Sequence, residues 1–209
     1  VNWWATWWLI GMISLPITVL LFKSLNDKGY AVARLFGILV ISYAVWLLAS
    51  IKILPFSLAG TWGVLAIWAI INVYLYKKNQ KYYLDVIKTH WWKWIRIEFI
   101  FVFFLTFWSL IRSFYPDING LEKFMDYGFM NSVLRSEYFP PHDMWYAGGL
   151  INYYYYGHYV SALVTRISQV PAQIAYNLMI STILANAAIA IYSLVGSIIE
   201  WTWGDKKYN

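Results

Sequence analysis

The sequence predicts an all-α protein, a polytopic transmembrane helical bundle of about six spans. Of its 209 residues, 61% are hydrophobic and only 12% are charged, whereas a soluble domain carries about 25% charged residues. Uncharged runs extend over 3–22, 35–51 and 53–76, and roughly 17–25 apolar residues cross a bilayer as a helix. This composition excludes a soluble enzyme, a secreted module and a transcription factor.

Apolar segments place the predicted spans near 3–22, 35–52, 54–76, 95–114, 152–168 and 173–199. Residues 1–114 form four N-terminal transmembrane helices with a basic inner loop at 77–96. Residues 115–151 form an external acidic loop that is structured and contains a juxtamembrane amphipathic helix. Residues 152–209 hold two further transmembrane helices and a short tail.

The basic residues predict the orientation in the cell membrane, because cytoplasmic loops carry an excess of Lys and Arg. Six of them lie between residues 77 and 96, so this loop is placed inside, and both termini and the 115–151 loop are placed outside. Leu84, Ile87, Trp91 and Trp94 recur there at helical spacing, which is typical of a helix lying in the inner interface. A plain basic loop that sets the topology remains the alternative. The net charge of +6 follows from this topology, and no nucleic acid is expected as a partner.

The loop from Tyr115 to Ile151 is the candidate functional segment, because it carries five of the ten acidic residues. Asn119, followed three residues later by Glu122, predicts a helix start. Glu122 and Asp126 then share a helix face, where like charges repel unless a divalent cation, a basic partner or a shifted proton compensates. The helix dipole explains Glu122 well but Asp126 poorly. We therefore predict Asp126, together with Glu122, as catalytic carboxylates.

Other loop residues suggest an anion site and a metal site. Arg112, Lys123 and Arg135 are candidates to pair with a lipid phosphate. His142 and Asp143 follow Pro140-Pro141 and are candidate metal ligands, for which Mg²⁺ or Mn²⁺ would be the cofactor. A solvated loop pair is the plainer interpretation of these two residues.

A run of tyrosines opens the fifth predicted span. An aromatic belt at the membrane interface is the simplest explanation of such a run. Polar neighbours make this explanation incomplete, because polar residues at membrane depth usually face the bundle interior or water. The predicted substrate-binding residues in this segment are Asn152, Tyr153, Tyr154, Tyr155, Tyr156 and His158.

Three segments, 122–126, 135–145 and 148–158, resemble the YYY-motif membrane protein family, which is largely uncharacterised. The start of the chain, with Asp27-Lys28-Gly29-Tyr30, Arg34 and Gly37, is similar to the N-terminal helices of that family. The family in turn is similar to the glycosyltransferase-C superfamily of integral membrane enzymes. That resemblance implies an external-loop carboxylate in a juxtamembrane helix, here Asp126, that acts as catalytic base or metal partner.

The resemblance implies transfer of a sugar from a polyprenyl-phosphate-linked donor on the outer face of the membrane. The expected partners are therefore membrane lipid and a polyprenyl-phosphate sugar. Members of the family are longer, so the chain looks like an N-terminal part that works with missing C-terminal helices or a partner membrane chain. A transporter-like module or a membrane scaffold without catalysis is the alternative.

Overall fold

The protein folds as an all-helical bundle, seen in a computed structural model that describes residues 1–120 and 122–203. Within these ranges there are seven α-helices and no β-strand. Five of the helices, α1, α2, α3, α4 and α7, are long and apolar enough to cross a membrane, which confirms the predicted polytopic bundle. The helices are α1 (Asn2–Leu21), α2 (Tyr30–Ser50), α3 (Leu58–Lys78), α4 (Gln80–Ser113), α5 (Lys123–Arg135), α6 (Tyr156–Ser168) and α7 (Ala172–Trp203).

Helix α1 lies at the centre of the bundle and packs against α2, α3 and α6. Its buried side chains include Trp7 and Ile10. Gly37 of α2 lies so close to α1 that a Cβ at this position would collide with the Ser14 hydroxyl. Small residues at the contact between two membrane helices let their backbones approach closely.

Polar side chains from neighbouring helices support α1 around Pro16. The Ile17 N–H donates a hydrogen bond of 3.1 Å to Asn72 Oδ1 of α3. The Tyr83 hydroxyl of α4 donates a hydrogen bond of 2.8 Å to the Pro16 carbonyl. A proline interrupts the hydrogen bonding of a helix, and polar backbone groups inside a membrane protein need internal partners. These two bonds therefore attach α3 and α4 to α1.

The predicted span at 152–168 is corrected by the structure, because five helices of the described ranges, rather than six, are long and apolar enough to span the membrane. Residues 152–155 are not helical, and α6 has only 13 residues. At about 1.5 Å per residue it is roughly 20 Å long, shorter than a hydrocarbon core of about 30 Å. The apolar count over this segment included tyrosines that precede the helix, which is why the sequence overestimated its length.

The bundle has two ends that differ in charge and structure. We call the end with the α1–α2 connection and the α3–α4 junction the basic end, because Lys23, Lys28, Lys77, Lys78 and Lys81 lie there. We call the opposite end the loop end. It holds residues 114–120 and 122–155, which include α5, together with α6.

Helix α7 runs from the loop end to the basic end. Near its start, Asn177 Oδ1 accepts a hydrogen bond of 2.9 Å from Arg112 Nε. Near its finish, Glu200 Oε2 accepts one of 3.2 Å from Lys93 Nζ. Helix α1 begins near the loop end, where Val1 lines a groove with Ser109 of α4, so in the described part of the chain α1 begins and α7 ends at opposite ends of the bundle. This arrangement favours termini on opposite sides of the membrane over the predicted shared side. The predicted tail, residues 204–209, lies outside the described residues.

Residues 77–96, predicted as an inner loop, are almost entirely helical. Lys78 ends α3, and α4 begins at Gln80 after the single residue Asn79. The helix continues without a break because its buried positions, Tyr83, Val86, Ile97, Phe101 and Leu105, keep one face of a helix along its 34 residues. The predicted interfacial helix is therefore the first half of the continuous helix α4 and not a separate element.

The predicted helix of the acidic loop is present as α5, but it begins later than expected. Lys123 is its first residue, and Glu122 precedes it without a side-chain capping hydrogen bond. Asp126 therefore lies in the first turn of α5, where the helix dipole favours a carboxylate, so the expectation that the dipole explains Asp126 poorly is wrong. Leu121 lies outside the described residues. Helix α5 packs against α6 and has a buried face formed by Phe129, Met130 and Val133. It is therefore the amphipathic element of the loop end.

Candidate active site at the loop end

Asp126 of α5 and His158 of α6 face each other at the loop end, with 3.7 Å between Asp126 Oδ1 and His158 Nε2. Their side chains stay 32% and 20% exposed, so both are accessible to a ligand. The ring of Phe129 packs on the imidazole with 5.4 Å between ring centroids. Burial lowers the pKa of His158, and the Asp126 carboxylate opposes that shift. His158 is therefore mainly a neutral imidazole near neutral pH.

Two tyrosines lie near this pair, and Glu122 lies one helical turn before Asp126, whose N–H donates a hydrogen bond of 2.9 Å to the Glu122 carbonyl. The Tyr176 hydroxyl of α7 interacts with the Asp126 carboxylate. Tyr153 lies within electrostatic range of both Asp126 and Glu122. The hydrogen bond of 2.8 Å that the Tyr153 hydroxyl donates to the Tyr154 hydroxyl is the main reason that the pKa of Tyr153 is raised. We call these five residues, which come from α5, α6, α7 and the segments beside them, the Asp126 cluster: Glu122, Asp126, Tyr153, His158 and Tyr176.

The tyrosine run divides into an exposed half and a packed half. Tyr153 and Tyr154 are exposed beside the Asp126 cluster. Tyr155 accepts a hydrogen bond of 2.9 Å from Trp46 Nε1 of α2, and the Tyr156 hydroxyl shares one of 3.0 Å with Ser42 Oγ of the same helix. The structure therefore assigns Tyr155 and Tyr156 to the attachment of α6 to α2 and leaves the first two tyrosines free to contact a ligand.

Two of the three predicted phosphate-binding cations, Lys123 and Arg135, have their contacts outside this cluster. Lys123 Nζ lies 3.5 Å from the Asp117 carbonyl. Arg135 is nine residues further along α5 than Asp126, roughly 13 Å at the rise of an α-helix. It lines a separate cavity of about 510 Å³ with Lys52 and His142. Asn152 is exposed on the approach to the cluster.

The predicted metal ligands His142 and Asp143 form part of a loop turn. Asp143 Oδ1 accepts hydrogen bonds from the Trp145 and Tyr146 N–H groups, at 2.7 and 3.0 Å. Among the described residues, no three His, Cys, Asp or Glu side chains form a group that could hold a metal ion. A divalent cofactor stays a prediction, and Glu122 and Asp126 are the two neighbouring carboxylates that could bind one.

Tyr176 is the cluster member that sequence reasoning missed. It lies near the start of α7, within an apolar span, where a lone tyrosine resembles any other interfacial aromatic residue. Its position 50 residues after Asp126 gives no local signal. Only the packing of α5 against α7 brings its hydroxyl to the carboxylate.

The fold and the site define a polytopic helical membrane protein with an accessible carboxylate–histidine cluster at one end. Residues 40–203 match the family DUF2298, described as an uncharacterized membrane protein. The chain belongs to this family, and the match includes every member of the Asp126 cluster. No curated protein and no solved structure matches the chain.

Proposed function

We propose that this protein transfers a sugar from a polyprenyl-phosphate-linked donor, with Asp126 as general base at the loop end. The observation that carries this proposal is the partly exposed Asp126 carboxylate, held 3.7 Å from His158. Its place in an amphipathic helix beside the spans supports the resemblance to glycosyltransferase-C enzymes. The loop end would then face the outside of the cell membrane.

The proposed reaction needs one proton acceptor and a leaving phosphate. The acceptor hydroxyl attacks the anomeric carbon, and a new C–O bond forms while the bond from that carbon to the phosphate oxygen breaks. Asp126 takes the hydroxyl proton, as a positioned carboxylate can in general base catalysis, and later releases it to solvent. A neutral His158 keeps a positive charge away from Asp126 and can orient the carboxylate through its ring N–H.

In the alternative role of Asp126, as metal partner instead of base, a divalent cation would bind at Glu122 and Asp126 together with the donor phosphate. Mg²⁺ is usually held by one or two carboxylates and by substrate phosphates rather than by an all-protein cage. Such an ion would supply electrostatic stabilisation of the departing phosphate. Glu122 suits this role because it lies beside α5 within electrostatic range of the same Tyr153 as Asp126.

The decisive variant is Asp126→Asn, which keeps the shape of the side chain but removes the base. Transfer from a panel of synthetic polyprenyl-phosphate hexoses should fall about 100-fold or more, the usual size of a general-base contribution. Glu137→Gln is the matched control, because this exposed carboxylate lies outside the Asp126 cluster and should leave transfer unchanged. Both variants should unfold at the same temperature as the wild type.

Wild-type transfer by a folded Asp126→Asn variant would overturn the proposal. The assay needs the intact protein in membranes with any further helices or partner chain, because the acceptor side of the reaction is expected there. If Asp126→Asn changes only the capture of a partner membrane chain and leaves transfer by the complex intact, the scaffold alternative takes its place.

A further inference from the structure

A second cavity at the loop end lies outside the Asp126 cluster. Its volume is about 480 Å³, and it opens between the end of α4 and the start of α7. Arg112 and Asn177 give it polar groups, whereas Ile174 and Leu178 give it apolar surface. Asp117 also lines the cavity, and its side chain is exposed. A cation at the mouth of an apolar space suits an amphipathic ligand.

The Arg112 guanidinium is fixed in this cavity but keeps donors to spare. Nε donates to Asn177 Oδ1 at 2.9 Å, Nη1 to the Tyr115 carbonyl at 2.7 Å and Nη2 to the Asp117 carbonyl at 3.4 Å. A guanidinium has five N–H groups, so two remain. No carboxylate of the described residues lies within 4.0 Å of it. Arg112 is therefore a preorganised cation whose charge lacks a close counterion.

An apolar groove continues from this cavity along α4. The groove has a volume of about 590 Å³ and shares Ser109 and Leu178 with the first cavity. Its other surfaces include Trp4, Val102 and Leu105. From residue 112 to residue 102, α4 rises roughly 15 Å, a distance that a hydrocarbon chain of moderate length can follow.

The hydroxyl of Ser109 marks the point where the two cavities meet. Ser109 Oγ is buried and has no hydrogen-bond partner within the described part of the chain. A buried polar group without a partner is unfavourable, and a ligand oxygen in the cavity would supply one. The unsatisfied hydroxyl thus adds a second polar contact below the guanidinium.

We propose that this cleft, the α4–α7 cleft, binds a membrane lipid with a phosphate head, the phosphate on Arg112 and the chain in the groove. The inference deepens the proposed function and rests on it only for the claim that the lipid is the donor. Arg112 donates to Asn177, the residue that follows Tyr176 of the Asp126 cluster on α7. The α4–α7 cleft and the Asp126 cluster therefore lie beside the same turn of α7, as a lipid-linked donor requires.

The test uses a long-chain alkyl phosphate with a photoreactive diazirine in its chain, added to the intact protein in neutral-lipid nanodiscs. We expect saturable crosslinks on α4 between residues 102 and 109 and on α7 around Leu178. Arg112→Gln should weaken labelling about tenfold or more, because it removes the charge from the phosphate contact. Lys52→Gln, which removes an exposed cation at the same end, should not weaken it.

A second variant tests the lipid site independently, in case Arg112→Gln does not fold. Thr106→Trp adds bulk in the groove at an exposed position and should block labelling without touching Arg112. An alkyl alcohol of the same chain length should label poorly, and inorganic phosphate should compete weakly if the lipid is the ligand. Full competition by inorganic phosphate, or equal labelling in wild type and in both variants, would overturn the lipid site.

The two proposals can fail separately. Asp126→Asn should lose sugar transfer but keep lipid labelling, since it leaves the α4–α7 cleft intact. Normal labelling with no transfer activity in any preparation would contradict the proposed function and leave the lipid site standing. Transfer activity with no specific labelling would contradict the lipid site alone.

Discussion

Arg34 of α2 and Glu98 of α4 form an ion pair inside the helical bundle, with 2.6 Å between Arg34 Nη2 and Glu98 Oε2. The two side chains are only 2% and 19% exposed. Glu98 also accepts hydrogen bonds from Trp4 Nε1 at 2.9 Å and from the Tyr30 hydroxyl at 3.1 Å. The guanidinium lies over the Phe101 ring, 4.0 Å from its centroid. One carboxylate thus connects α1, α2 and α4.

Glu98→Gln should destabilise the protein strongly, because it leaves the Arg34 charge buried without its counterion. Removing one partner of a buried pair costs about 3–5 kcal/mol. Thermal unfolding in detergent, followed by circular dichroism, measures the loss. Glu200→Gln is the matched control, since Glu200 pairs with Lys93 on an exposed surface, where ion pairs contribute little. Equal unfolding temperatures for the two variants would contradict the structural role of the Arg34–Glu98 pair.

This pair shows where sequence reasoning reached its limit. Uncharged length alone predicted α1, α2, α3 and α7, since a bilayer demands long apolar helices. Nothing in the sequence connected Arg34 with Glu98, because 64 residues separate them. Their pairing depends on how α2 and α4 pack, which no local pattern reports.

The sequence likewise predicted only part of the candidate site. The spacing of Glu122 and Asp126 pointed to Asp126, because it concerns a single turn of chain at the start of α5. The approach of His158 to Asp126 required two helices to pack, although both residues were candidates separately. The tyrosine run misled the span prediction, because aromatic residues count as apolar although residues 152–155 are not helical.

Single-cysteine labelling should separate a five-span from a six-span topology. The chain has no cysteine, so an introduced one reports alone. In intact cells, an impermeant maleimide should label Asn119→Cys but neither Lys81→Cys nor Thr202→Cys, because α7 ends at the basic end. If Asn119→Cys and Thr202→Cys were both labelled, the chain would cross the membrane six times. If Lys81→Cys and Thr202→Cys were labelled but Asn119→Cys was not, the predicted orientation would be inverted.

Stability should fall in mildly acidic solution in a way that depends on His158. Burial lowers its pKa below the ordinary 6.5, so the unfolded chain binds this proton more readily than the folded one. The stability it contributes is fully present above about pH 6.5 and is lost as the pH falls through the lowered pKa. His158→Gln should show a smaller drop in unfolding temperature between about pH 7.5 and about pH 5.5. An identical drop in wild type and variant would exclude His158 as the cause.

The close approach of α1 and α2 makes a sharp prediction for two glycines. Gly37→Ala should destabilise the bundle by about 1–3 kcal/mol, the usual range for overpacking. Its new Cβ would collide with the Ser14 hydroxyl and lie 2.9 Å from Ile10 Cγ2, so the two helices would have to separate.

Gly63→Ala on α3 is the matched control, because a Cβ there meets nothing within 4 Å and alanine favours helix. Thermal unfolding of both variants should give a clear loss for Gly37→Ala and an unchanged or raised midpoint for Gly63→Ala. A normal midpoint for Gly37→Ala would mean that α1 and α2 are further apart than described. The separation should also loosen the contact of Gly11 with Arg34, where a Cβ would lie 3.3 Å from the Arg34 Cβ, and so weaken the ion pair to Glu98.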